Sequence, residues 1–358
     1  MSTIEHYGTL FPTAVVGSLP RPAFVREVVM GERALSPERR ARVMDDAVAY
    51  AVCLQEEAGL DVLSDGEWRR ASYIGVIAEL AHGFALGRYA DGRPWTVVVD
   101  RLAPKEPGFL AAEARFLKQH TQRKIKVALP SPALLGERLW DPERSKKAYP
   151  TRRDFARACV PFLRRELELL CQAGTDVVQI DDPHLCLLVD DQVRAQHADP
   201  DAEARFTVEL INEMVAGIGG TRLAVHLCRR AGARVRGEAC HTGGYEPLIP
   251  HLNRLQVQHL TMEFTSPGAG EARVFGRLRE DLEIGLGCVS VHPGEVDTPE
   301  QIAARVEQAL KFLPKERVVL NPDCGFAPGS AAKIDIEEVY AKLCNQSAAA
   351  RLLRERHA

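Results

Sequence analysis

Two residues that favour soft metals, His226 and Cys228, close the apolar run LAVHLC at 223–228. Residues two apart on a strand point to one face. Cys324 follows a second apolar run, in LNPDCGF at 320–326, and Glu263 lies in a third, TMEF at 261–264. One imidazole, two thiolates and a carboxylate make a shell for Zn²⁺, which accepts nitrogen, sulfur and oxygen in tetrahedral array. His-x-Cys alone is short enough to be a core histidine beside an inert thiol. A second cysteine at a separate strand end turns the balance towards a metal. Two thiolates donate much charge to zinc and make it a poor source of hydroxide. Such a centre suits binding and deprotonating an incoming thiol, through an open or yielding fourth position.

Residues so far apart meet only if a regular frame brings strand ends together. Eight short apolar runs supply one: 13–19, 60–64, 125–129, 176–180, 223–227, 259–264, 284–291 and 317–320. Helix-like patterns lie at 38–58, 152–173, 201–218, 299–313 and 335–356, the fourth opening on Thr298-Pro299, a capping signature. Eight strands alternating with helices predict an α/β fold, a (β/α)₈ TIM barrel spanning 1–358. Chemistry in such a barrel sits at the C-terminal rim of the strands. The polar residues ending the runs are Ser18, Asp65, Glu67, Ser131, Asp181, Asp182, His226, Cys228, Glu263, His292, Asp323 and Cys324. Two departures from a plain barrel are expected. A hairpin at 85–108, turning at Asp91-Gly92, is inserted after the second strand. A long Gly-rich loop, 229–246, follows the fifth. Neither GxGxxG nor GxxxxGK[ST] occurs, which removes support for a dinucleotide or P-loop site.

The bulk numbers narrow the partners. The chain has 358 residues, 46% of them hydrophobic, and a net charge of −3. Nothing in that balance asks for nucleic acid or an anionic membrane. No run reaches the roughly 18 apolar residues of a membrane span. The opening MSTIEHYGTLFPT lacks a signal-peptide core, so the expectation is a cytoplasmic protein. Its nine cysteines then read as reduced thiols, mostly small buried hydrophobes.

The segments VGSLPRP (16–22), DVLSDGEWRR (61–70), VVQIDDP (177–183), HLC (226–228), TMEF (261–264) and LNPDCGF (320–326) occur in an order that resembles the cobalamin-independent methionine synthase family, in its catalytic C-terminal half. The resemblance implies a zinc-dependent methyltransferase that activates a thiol, homocysteine foremost, and methylates it. The donor would be a methyl-tetrahydrofolate or methylcobalamin. By motif, His226, Cys228, Glu263 and Cys324 would hold zinc. Ser18, Glu67 and Asp181 would hold the amino-acid end of the thiol, since an ammonium group seeks carboxylates. Asp181 and His292, the latter in SVHPGEVDTP, would be catalytic, His292 protonating the leaving group. The chain departs from the pattern in three ways. It has no room for the second, N-terminal barrel of full-length enzymes. The usual Asp-Glu-Pro reads Asp181-Asp182-Pro183. HLC continues as RRAGARV, where Arg229, Arg230 and Arg234 either grip an anion or form a solvated loop. Two rivals therefore stand: an epoxyalkane:coenzyme M transferase-like thiol alkyltransferase, and a zinc-binding barrel without catalysis. Small-molecule thiol and donor are the expected partners, and homo-oligomer formation is left open.

Overall fold

The computed structural model describes residues 3–90, 92–230, 241–327 and 334–358. Seven strands run parallel in one curled sheet: β1 (Val62–Leu63), β4 (Lys124–Pro130), β5 (Val177–Asp181), β6 (Arg222–Leu227), β7 (His259–Met262), β8 (Glu283–Val289) and β9 (Val318–Pro322). The first predicted run closes the circle. Thr13 bridges Leu320 of β9, and Ala14 bridges Val62 of β1, both in parallel sense. Ala14 N donates to Leu320 O at 3.0 Å and Val62 N to Thr13 O at 3.0 Å. The sheet is thus a barrel of eight staves, as expected from the strand count.

That first stave is shorter than the predicted 13–19, for a visible reason. Beyond Ala14 its carbonyls serve side chains instead of a ladder. Val15 O accepts from Lys126 Nζ, Val16 O from Gln179 Nε2, and Gly17 O from Ser64 Oγ. Similarly, β7 ends at Met262, before the predicted 264, and Glu263 leaves the ladder for the rim.

Strand alternation sorts the core. Val178, Ile180 and Val225 face outward into the large apolar layer beneath the helices. Ala14, Val62, Val177, Ala224 and Val319 form a small separate cluster inside the barrel, with Tyr7 packed on it. Above that cluster the lumen is polar, and this polar column leads to the rim.

The helices lie close to expectation: Pro37–Glu57, Arg152–Gln172, Pro200–Val215, Pro299–Leu310 and Ile336–Arg356. Thr298 accepts from Gln301 N and is capped in return by Gln301, with Pro299 at the first position. Two further helices, Phe109–His120 and Pro132–Leu139, were not anticipated. The second begins at Ser131, which accepts from Leu134 N, so this strand-end polar residue is a helix cap.

The inserted hairpin is present as β2 (Ala81–Arg88) and β3 (Pro94–Pro104), antiparallel, with Phe84 opposite Val98 and Gly87 opposite Trp95. It starts four residues earlier than predicted because Ala81 and His82 already pair with Pro104 and Ala103. Gly87 admits the Trp95 ring, which lies 2.3 Å from where a Cβ would stand. Asp91, at its turn, lies outside the described residues, as do Arg234 and most of the 229–246 loop. Among the described residues no helix is long and apolar enough to cross a membrane.

Candidate metal and substrate site

The parallel register sets the site. Asp181, the last residue of β5, stands beside His226 of β6. Alternation from Arg222 turns His226 into the lumen, and Cys228 follows one residue beyond the strand. Cys324 lies two residues beyond β9. The structure brings three of the predicted ligands together. One ring nitrogen of His226 and the sulfurs of Cys228 and Cys324 all lie within 4.8 Å of one another, and all three residues are buried. The two sulfurs are 3.5 Å apart.

His226 is held from behind. Its Nδ1 lies 3.0 Å from Asp181 Oδ1, the carboxylate–histidine arrangement that orients metal-binding imidazoles. Its Nε2 is buried without a hydrogen-bond partner. Burial lowers the imidazole's pKa, but Asp181 and Cys324 override it and raise the value to about 10. An orphaned imidazole nitrogen facing two thiols is the donor set zinc takes, so the residues fit that ion.

Glu263 stands on the same rim, fully buried, one residue past β7. Its Oε2 accepts from Arg229 N and its Oε1 from Ser266 Oγ, both at 2.6 Å. It is not one of the three close-set ligand groups.

A cleft open to solvent lies above the triad. Ser18, Glu67, Asp181, His226, Cys228 and Cys324 line it together. Two glycines make room for the first two. A Cβ on Gly17 would stand 2.6 Å from Glu67 Oε1, and one on Gly325 2.2 Å from Ser18 Oγ. Glu67 itself has φ +57, after Gly66 at +65. A turn through two left-handed residues aims its carboxyl into the cleft. Asp65 Oδ1 accepts from Glu67 N, and Arg21 donates to the carbonyls of Glu67 and Arg70. Arg70 pairs in turn with buried Glu113 at 2.5 Å. Burial, with Asp181 and Asp65 close by, outweighs Arg70 and pushes the Glu67 carboxyl up to about 7.

His292 does not line this cleft; it is half-buried on the loop after β8, where its carbonyl accepts from Lys342 Nζ. Asp182 is a structural residue: it caps the turn 183–187 through Leu185 N and accepts from Ser131 Oγ. The reading of Arg229 as an anion grip or a solvated loop residue is corrected. Arg229 is fully buried. Its guanidinium donates to Gly243 O, Ala269 O and Tyr245 Oη and stacks 4.3 Å over the Tyr245 ring. Only Arg230, of the two described loop arginines, lines the cleft. The sequence reading missed Tyr73, Arg138 and the hairpin's Tyr89, Arg93 and Trp95, which also line the cleft. For the three hairpin residues the one available signal was the hairpin's position, inserted at the rim.

Residues 11–352 match the family described as Cobalamin-independent synthase, Catalytic domain. The chain belongs to that family. It is 28% identical to a methionine synthase of Sulfolobus acidocaldarius over 328 residues, 88% of this chain and 86% of that one. Against the methionine synthase of Sulfurisphaera tokodaii it is 27% identical over 356 residues, covering 97% and 93%. Its fold superposes on the B12-independent methionine synthase of Shewanella sp. W3-18-1, solved with selenomethionine, with a TM-score of 0.78 at 23% identity, covering 97% and 99%. A vitamin-B12 independent methionine synthase fold from Listeria monocytogenes gives 0.73 at 23%, covering 96% and 99%. At those identities the structural likenesses speak to the barrel. Family membership rests on the sequence match, which spans every segment that builds this cobalamin-independent synthase site.

Proposed function

We propose that this chain is a zinc-dependent methyltransferase that methylates homocysteine to methionine, acting in the cytoplasm with residues 1–358 as one catalytic barrel. His226, Cys228 and Cys324 would hold the metal, and Glu263 would complete the shell. Bound there, zinc would strip the proton from an incoming thiol at neutral pH and leave a nucleophilic sulfur. The remaining work belongs to the protein. Glu67 and Asp181 bind the ammonium group, and Ser18 bonds the same amino-acid end. This fixes where the sulfur points, and alignment of that kind is worth several orders of magnitude in rate. A methyl carbon then passes from the donor to the sulfur: an S–C bond forms, the donor–methyl bond breaks, and a folate donor's nitrogen takes up a proton. The family resemblance gives that proton transfer to His292, which stands outside the cleft lining on the loop after β8 and would act through an intervening water. Tyr73, on the cleft wall, stays protonated, because burial and then the Cys228 thiol raise its pKa.

The observation that carries this reading is the convergence of three candidate metal ligands and two carboxylates, Glu67 and Asp181, on one cleft. Glu67 and Asp181 favour a thiol bearing an ammonium over a sulfonated one. That places the coenzyme M-type reading second. The test is direct. Zinc-loaded protein is incubated with homocysteine and, in turn, methyl-tetrahydrofolate, methylcobalamin and S-methyl donors, and methionine is measured by mass. Product from one of these is expected; product from none of them overturns the reading.

A further inference from the structure

A chain of buried polar side chains runs up the barrel lumen to the site. Arg222 lies 3.0 Å from Glu283, and Glu283 lies 3.3 Å from His259 Nδ1. His259 Nε2 is 3.1 Å from Thr261 Oγ1, which in turn donates to Gln179 Oε1 at 3.4 Å. Gln179 Nε2 donates to Asp181 Oδ1 at 2.8 Å and to Val16 O at 3.0 Å. Gln179 and Thr261 are completely buried. Both neighbours of that Nε2 are acceptors, so the amide can face only one way.

Asp181 Oδ1 therefore receives two bonds, from Gln179 Nε2 and from the His226 Nδ1 side. Asp181 Oδ2 takes neither of these bonds, and Asp181 lines the cleft. We infer that Gln179 is a positioning residue for the substrate's ammonium group: it pins one oxygen of Asp181 so that the other is presented to the amine. The inference rests on the homocysteine reading above and goes one step beneath it. A glutamine costs desolvation in the middle of the buried strand VVQID, and the bonds it makes here recover that cost. Through Val16 O it also ties Asp181 to the stave that carries Ser18, so both contacts to the amino-acid end share one anchor.

Two variants test this in the zinc-loaded protein. Gln179→Met keeps the volume and removes the donor. Gln179→Glu keeps the shape and, when ionised, replaces the donor with an acceptor. Calorimetry measures the binding of homocysteine and of 4-mercaptobutyrate, the same thiol acid skeleton without the amine, alongside kcat and KM for homocysteine. A hydrogen bond to a charged group of this kind corresponds to a loss of about ten- to a hundredfold in affinity. Both variants should weaken homocysteine by that factor, seen in Kd and KM, while 4-mercaptobutyrate binding and zinc content stay as in the parent protein. If both variants retain the parent's preference for homocysteine, or if both thiols weaken equally, the positioning role is wrong. If the parent protein itself shows no preference for the amine-bearing thiol, the homocysteine reading fails first, and the role of Gln179 with it.

Discussion

Glu67 is where function works against stability, and the conflict has a measurable sign. Its carboxyl moves from the ordinary 4.5 up to about 7 in the folded chain, because burial and the neighbouring acids penalise the charge. Between those values the folded state holds a proton that the unfolded chain releases. Stability from this group is therefore complete below pH 4.5 and is lost as pH rises through 7. At about 1.36 kcal/mol for each pH unit, the loss above pH 8 is on the order of 3 kcal/mol. Glu67→Gln removes the titration and keeps the shape. For 358 residues the unfolding entropy is roughly 0.75 kcal/mol/K, so the gain at pH 8.5 is about 4 °C in Tm. The gap should shrink to roughly half near pH 5.7 and close below about pH 4.5. Calorimetric melts of parent and variant across this range, both stripped of metal with a chelator, give the comparison. The same substitution removes a charge proposed to hold the ammonium, so KM for homocysteine should rise while the fold gains. A variant no more stable than the parent at pH 8.5, or a gap independent of pH, would refute the reasoning.

Four other outcomes are expected. Cys228→Ser should lose zinc and turnover together, checked by metal content after purification, with the melting behaviour of the metal-free protein nearly unchanged. Gly325→Ala puts a Cβ 2.2 Å from Ser18 Oγ; displacing that hydroxyl costs about one hydrogen bond, so KM for the thiol should rise roughly three- to tenfold with zinc retained. Arg229→Met orphans the carbonyls of Gly243 and Ala269, at about 1–3 kcal/mol for each unpaired group; Tm should fall by at least about 3 °C, the mark of a clamp and not of a substrate grip. His292→Gln should leave thiol binding intact by calorimetry and slow methyl transfer in single turnovers.

The barrel, and the convergence of His226, Cys228 and Cys324, were legible because both leave local marks. Strand alternation puts His226 and Cys228 on one face. A cysteine after a strand end, as in NPDCG, has little packing reason to be there. Partnerships across the lumen leave no such mark. Gln179 bonds Val16 and Thr261, 163 and 82 residues away, and no pattern in VVQID names those partners. Periodicity says which way a side chain faces, not what waits there. Arg229 misled for the same reason: beside Arg230 in a Gly-rich stretch it reads as surface, yet Gly243, Ala269 and Tyr245 close over it. The helix at 132–139 was a different failure, since Ser131-Pro132 carries the same start signal as Thr298-Pro299 and was read as a strand end alone. Glu67 lies between these cases. Its motif marked it as functional, but only the backbone shows what its placement requires: two successive left-handed residues, a glycine opposite, and Arg21 holding the turn. A non-glycine residue held there costs energy, and a buried acid beside another acid costs more. Those costs persist because the turn, the glycines and the buried Arg70–Glu113 pair all fix the same geometry, and the acid they fix is the one proposed to meet the substrate's ammonium group.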